Sequence, residues 1–262
     1  MIKRSSTLRR LTALALPLLA LSMATIAVDA QEKSKSSKTD LVVFDFESGD
    51  LAKEGWSIVE GENTKPIGSR SAEFHDESVP YQKNGTYYLT TLESTANAAP
   101  TDDVLCVVES PVFEITGDKI TFLIGGGGAR KNVRVELALL KDDGDVEPVL
   151  EARGKDNQKL DPVEWNVSQY KGKKALIRVI DQETGGWAHI RCDNFQIAGI
   201  LNPVGTSLRK EAFERIAAEK AAKEKELREQ ALANTPEAVL YVILSQYRPD
   251  NHNTATIFQP VE

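Results

Sequence analysis

The chain has 262 residues, of which 27% are charged, 41% hydrophobic and 6% aromatic; this balance excludes collagen-like and wholly disordered polypeptides and leaves room for one or two domains. Its 32 Lys and Arg stand against 39 Asp and Glu, a net charge of -7, so phosphate backbones are repelled and a nucleic-acid partner is set aside. Three His and two Cys are too few for a four-cysteine zinc cluster, and there is no CxxCH haem attachment.

Residues 1–30 have the pattern of a secretory signal. Lys3, Arg4, Arg9 and Arg10 precede an apolar stretch from Leu11 to Val28, and Val28-Asp29-Ala30 offers small residues for cleavage. The stretch approaches the ~18 residues that begin to span a bilayer, but Pro17 and the Ala-rich end favour cleavage. The expectation is export to the periplasm or beyond, with no transmembrane segment left. Removing residues 1–30 leaves 28 basic against 38 acidic residues, a net charge of -10. Residues 31–40 are rich in Lys and Ser, have almost nothing to bury, and read as a disordered tether. In an oxidising compartment Cys106 and Cys192 either pair as a disulfide or remain two separate buried thiols, and both readings stay open.

From residue 41 to 200 short β-rich runs alternate with Gly, Pro, Asn and Asp clusters. Leu41 to Phe46, Tyr87 to Leu92, Val104 to Glu109, Lys119 to Ile124, Val133 to Leu140, Val146 to Ala152, Lys174 to Ile180 and His189 to Ile197 are strand-like. Asp142-Asp143-Gly144-Asp145 predicts a hairpin between two of them. Eight or more strands without intervening helices predict a mainly β fold, a jelly-roll β-sandwich of the concanavalin-like or galactose-binding-like kind. Trp56, Trp165 and Trp187 read by default as packing residues.

Three constellations in this region bear on chemistry. Gly125-Gly126-Gly127-Gly128 follows a strand, but no helix and no Lys-Ser/Thr pair follows it, so a tight turn or bulge is favoured over a phosphate loop. Asp45, Glu47 and Asp193 lie on the first and last strands, which in a jelly roll commonly run side by side. With loop carbonyls these carboxylates suit calcium; the competing reading is a solvated or salt-bridged set of acids. In Gly185 to Asp193, strand alternation puts Trp187, His189 and Arg191 on one face, an aromatic, an imidazole and a guanidinium suited to a sugar. The plainer reading makes that face merely solvated and packs Ala188, Ile190 and Cys192 inward. There is no GxSxG, no HExxH and no distinctive acid pair, so the region reads as a non-catalytic module.

Val43-Phe44-Asp45-Phe46-Glu47, Gly55-Trp56, Ile120 to Gly127, Trp165 to Lys173 and Ile180 to Ile190, in that order, resemble a β-sandwich accessory module found in levanase-like proteins of glycoside hydrolase family 32 and in large secreted proteins of planctomycete-type bacteria. The resemblance covers roughly residues 41–200. It implies a carbohydrate-binding or domain-packing role, with a polysaccharide or a neighbouring domain as partner, and supplies no catalytic residue.

Residues 201–235 form a charged linker. Gly and Pro are absent from Ser207 to Ala233, and the composition predicts one long helix with pairs such as Glu211–Arg215. Residues 236–262 read as the start of a second, incomplete domain, with Ala238 to Leu244 as a strand of the doubly buried type. Ser245 to Thr256 resembles the opening of propeller proteins related to the hydrazine synthase alpha subunit. That implies the N-terminal part of a larger periplasmic protein as an alternative role, and a glycosidase-associated protein as a further one.

Overall fold

The structure is a computed structural model describing residues 40–96 and 98–233. The signal segment, all of the tether but Asp40, and residues 236–262 with their apolar run lie outside the described residues.

Among the described residues there are eleven strands and one α-helix. The strands are β1 Leu41–Phe44, β2 Ser57–Gly61, β3 Ile67–Gly68, β4 Tyr88–Thr90, β5 Cys106–Glu109, β6 Phe113–Gly126, β7 Val133–Leu140, β8 Val146–Ala152, β9 Asn157–Asn166, β10 Lys174–Asp181 and β11 Ile190–Leu201; the helix is α1, Pro203–Ala233. All pairings are antiparallel, as expected where tight turns and not helices join strands. One layer runs β2-β5-β10-β7-β8; the other places β3-β4, and also β1, against β11, followed by β6 and β9. Strand β6 crosses between the layers: Phe113 and Glu114 pair with β10, whereas Lys119 onward pairs with β9. The result is a curled antiparallel sheet closed into a β-sandwich.

Alternation drives this closure. In β1 Val42 and Phe44 are buried while Leu41 and Val43 face outward, and the strand is paired with β11 through Val42↔Ile197 and Phe44↔Phe195. A single apolar cluster joins both layers, with Phe195, Ile197 and Phe122 from one and Val108, Leu137 and Val179 from the other. Rings fill its centre: Trp56 packs on Phe44, Phe46 and Phe195 at 5.3–5.9 Å, and Phe122 stacks on Phe195 at 4.8 Å. Trp56 and Trp165 are thus core residues.

The β7–β8 hairpin forms as its turn residues require, with Lys141 N–H donating to Asp145 O and Gly144 at φ +84°. Strands β2, β3 and β9 carry no clean alternation in the sequence. Strand β9 contains Lys159, Asp161 and Pro162 and pairs with β6 alone, so it is an edge strand, where a proline's missing N–H costs no ladder bond. Helix α1 starts four residues before Ser207, because Asn202 caps it by accepting from Gly205 N–H and Pro203 fills the first turn.

Candidate functional site

The site is built at one end of the sandwich, where the lead-in to β11 meets two loops. Arg130 donates to Gly186 O, and Gly127 N–H donates to His189 O at 2.8 Å. The glycine run therefore serves backbone approach: a Cβ on Gly127 would collide with the carbonyl of Trp187. Trp187 adopts φ +65° in this turn and lies half-buried, its ring 5.7 Å from that of His189.

His189 and Arg191 leave the backbone toward the same cleft, as alternation predicts, but neither is a solvated side chain. His189 is 2% exposed, and its Nδ1 lies 2.6 Å from Asp102 Oδ1. Burial pushes the imidazole pKa down, and the Asp102 hydrogen bond opposes that shift. Its Nε2 is buried without a hydrogen-bond partner. Arg191 is fully buried beneath Tyr81, whose ring centroid lies 4.4 Å from the guanidinium, and it donates to Gln158 Oε1. Of Trp187, His189 and Arg191, read from the sequence as one face suited to a sugar, His189 and Arg191 are thus the buried floor of a cleft, because the segment before β4 folds over them.

That segment carries the exposed groups. Residues 69–81 return on themselves, with Glu73 N–H donating to Val79 O and Tyr81 N–H to Ser71 O. Arg70 is anchored by an ion pair with buried Glu93 at 3.3 Å and by donation to Ala98 O, and its guanidinium lies 4.7 Å from the Phe74 ring centroid. Phe74 is 44% exposed and meets exposed His75 edge-on at 5.0 Å. Between this rim and Pro100, Thr101 and Asp102 opens a cleft of about 160 Å³ with Tyr81, His189 and Arg191 as its floor. Phe74, His75, Tyr81 and Asp102 are not marked by any strand or helix period. An aromatic pair set in a polar loop is the one signal that points to Phe74-His75. A second, shallower groove of about 410 Å³ lies over Thr121, Leu123, Pro162 and Glu164, and the ring at its edge, Phe122, is buried.

The proposed calcium ligands are brought together in part. Strands β1 and β11 do run side by side. Asp193 is fully buried; its Oδ2 accepts from Asn84 N–H while Oδ1 has no hydrogen-bond partner. Burial pushes its pKa up to about 7, and the nearby Glu47 charge adds to the rise. Glu47 accepts from Thr86 and Tyr87 N–H. Asp45 instead turns back on its own chain to accept from Glu47 N–H. Among the described residues no group of three or more His, Cys, Asp or Glu side chains is placed to hold a metal ion. The trio thus reduces to Glu47 and Asp193, facing a loop where Lys83 Nζ donates to the carbonyls of Gly85 and Thr86 at 2.6 and 2.5 Å.

Cys106 and Cys192 are free and buried, the second of the two arrangements left open by the sequence. Cys106 sits opposite Asp181 on β10, and Cys192 opposite Ile124 and Leu89 in the other layer. Burial pushes the Cys106 thiol up to about 12 and Cys192 well above its usual value, so neither is poised to react.

No family model matches the chain. Over 162 residues it is 28% identical to ecdE of Aspergillus rugulosus, a protein named provisionally as a glycosyl hydrolase; the match covers 60% of this chain and 21% of that protein. The chain therefore spans about a fifth of that relative's length. Similar solved structures include the K1 cleaved adhesin domain of Lys-gingipain from Porphyromonas gingivalis W83, at 16% identity and TM-score 0.36 over 60% of this chain and 97% of that one. The CBM22-1 xylan-binding domain of Paenibacillus barcinonensis Xyn10C has 15% identity and TM-score 0.34 over 63% and 97%. The module TmCBM61, solved with β-1,4-galactotriose, has 19% identity and TM-score 0.32 over 60% and 93%.

Proposed function

We propose that the protein is an exported, non-catalytic β-sandwich module that binds carbohydrate through the cleft between the Phe74 loop and Asp102. The observation that carries this reading is the half-exposed Phe74 ring, held over Arg70 beside His75, at the mouth of a cleft that also presents carboxylates. A sugar ring offers the matching surfaces, an apolar C–H face for the aromatic and hydroxyl donors for Glu73 and Asp102. Arg70 costs little to keep in place because Glu93 and the Ala98 carbonyl already hold it. The partial identity with a protein named as a glycosyl hydrolase points to the same class of ligand.

The test is retention of the full chain on a glycan array and on insoluble polysaccharides, with Phe74→Ala beside it. The expected outcome is specific retention that falls at least tenfold in the variant, with an unchanged melting temperature. Equal retention by both proteins sinks the assignment to this cleft.

We further propose calcium at Glu47 and Asp193: the two carboxylates face the loop of Gly85 and Thr86, whose carbonyls are hard oxygen donors. Bound there, the ion would supply only structural charge, tying β1 to β11. Lys83 competes for the same carbonyls, so Lys83→Ala is expected to raise calcium affinity. Calorimetric titration without heat in both proteins rules the cation out.

A second reading, a domain-positioning role inside a larger assembly, draws on helix α1, whose part beyond Arg215 stands exposed in the described residues.

A further inference from the structure

We propose that the cleft receives one neutral sugar ring at the end of a glycan, not a run of rings along a polysaccharide; this rests on the saccharide-binding reading above. The first ground is size. At about 160 Å³ the cleft is roughly half the ~300 Å³ at which pockets for drug-sized ligands begin. It cannot deepen, because Tyr81, His189 and Arg191 seal its floor at 0%, 2% and 0% exposure.

The second ground is the fixed width of the cleft. Ser69 Oγ donates to Ala96 O and Arg70 Nη2 to Ala98 O, so the loop bearing Phe74 is tied to the loop bearing Asp102. Buried Glu93 ties Arg70 to the sheet from below. With its two walls tied to each other and to the sheet, the cleft is held at this width and does not spread to take further rings.

The third ground is charge. The ionisable side chains accessible in the cleft walls are Glu73, His75 and Asp102; Arg70, under Phe74 at the mouth, is neutralised by its pair with Glu93, and the one guanidinium in the lining, that of Arg191, is sealed beneath Tyr81. Carboxylates accept from sugar hydroxyls, but they repel uronates and sulfates. The net charge of -7 acts in the same direction.

The test is calorimetric titration of the full chain with methyl β-glucoside, methyl β-galactoside and methyl β-xyloside, with their β-1,4-linked oligomers from dimer to hexamer, and with oligogalacturonates. The expected result is binding by at least one neutral series, with affinity changing less than about threefold from dimer to hexamer and oligogalacturonates at least tenfold weaker. Affinity that climbs tenfold or more with length, or a preference for oligogalacturonates, overturns the one-ring proposal and leaves saccharide binding standing. So does retention on long polysaccharides without any heat from the short series. Absence of binding here and on the glycan array overturns both. Phe74→Ala, which removes an exposed ring, serves as the control for the site.

Discussion

Asp181 sits at the end of β10 and is 1% exposed. Thr91 donates to it and favours its charged form, yet burial dominates and pushes its pKa up to about 8, with Asp102 and Glu183 adding like charge. Between the usual value of 3.8 and about 8 the folded chain therefore holds a proton that the unfolded chain has released. Stability is expected to fall as pH rises through that window, and Asp181→Asn is expected to flatten the slope. Urea melts of both proteins from pH 5 to pH 8 check this; identical slopes would contradict it. The sequence offers no sign of this residue's state, because strand alternation says which way a side chain leaves the backbone and not what covers it. The same gap separates the expectation for His189 and Arg191 from what is found. Both sit on the face that alternation assigns, and both are sealed by a loop some hundred residues earlier in the chain.

Helix α1 is attached to the sandwich through its first turns. Arg209 donates to both carboxylate oxygens of buried Glu109, which also pairs with Arg178 at 3.0 Å, and Arg178 continues to Glu136. Gly144 gives the helix its seat: it holds φ +84°, and a Cβ there would stand 2.6 Å from that of Ala212. Removing Glu109 leaves two guanidiniums without their shared partner, so Glu109→Ala is expected to cost about 3 kcal/mol. The check is denaturant unfolding combined with limited trypsin digestion, in which cleavage near Lys210 should also accelerate. A loss below about 1 kcal/mol would show that the network does not hold the helix. Residues 216–231 are exposed throughout and extend about 24 Å at ~1.5 Å per residue. The helix is legible in its composition, because Ala, Glu, Lys and Arg fill it without Gly or Pro between Ser207 and Ala233. Its seat is not legible, because that depends on a Gly some seventy residues away. Strand β9 is not legible for a related reason: an edge strand that pairs on one side tolerates Lys159, Asp161 and Pro162, and so lacks the alternation of a covered strand.

At the scale of the whole molecule the sandwich follows from many short alternating runs that cannot bury themselves singly. Val42 and Phe44 on β1 meet Ile197 and Phe195 on β11, so the first and last strands run side by side in one layer, as the order of runs suggests. The cleft, in contrast, is assembled from residues 73–75, 81, 92, 100–102, 158, 189 and 191, and no local spacing records that meeting. Its chemistry comes from a loop between strands, closed on itself by the Ala72↔Pro80 bridge and tied down by the Arg70–Glu93 pair and by Tyr81 over Arg191. The most direct measurement is an amide NMR titration of the full chain with the best-retained saccharide. The expected result is shifts concentrated at residues 73–75, 101–102 and 158, around Phe74 and Asp102. Shifts confined to Thr121, Leu123 and Glu164 would move the ligand to the groove on the sheet face and contradict the assignment.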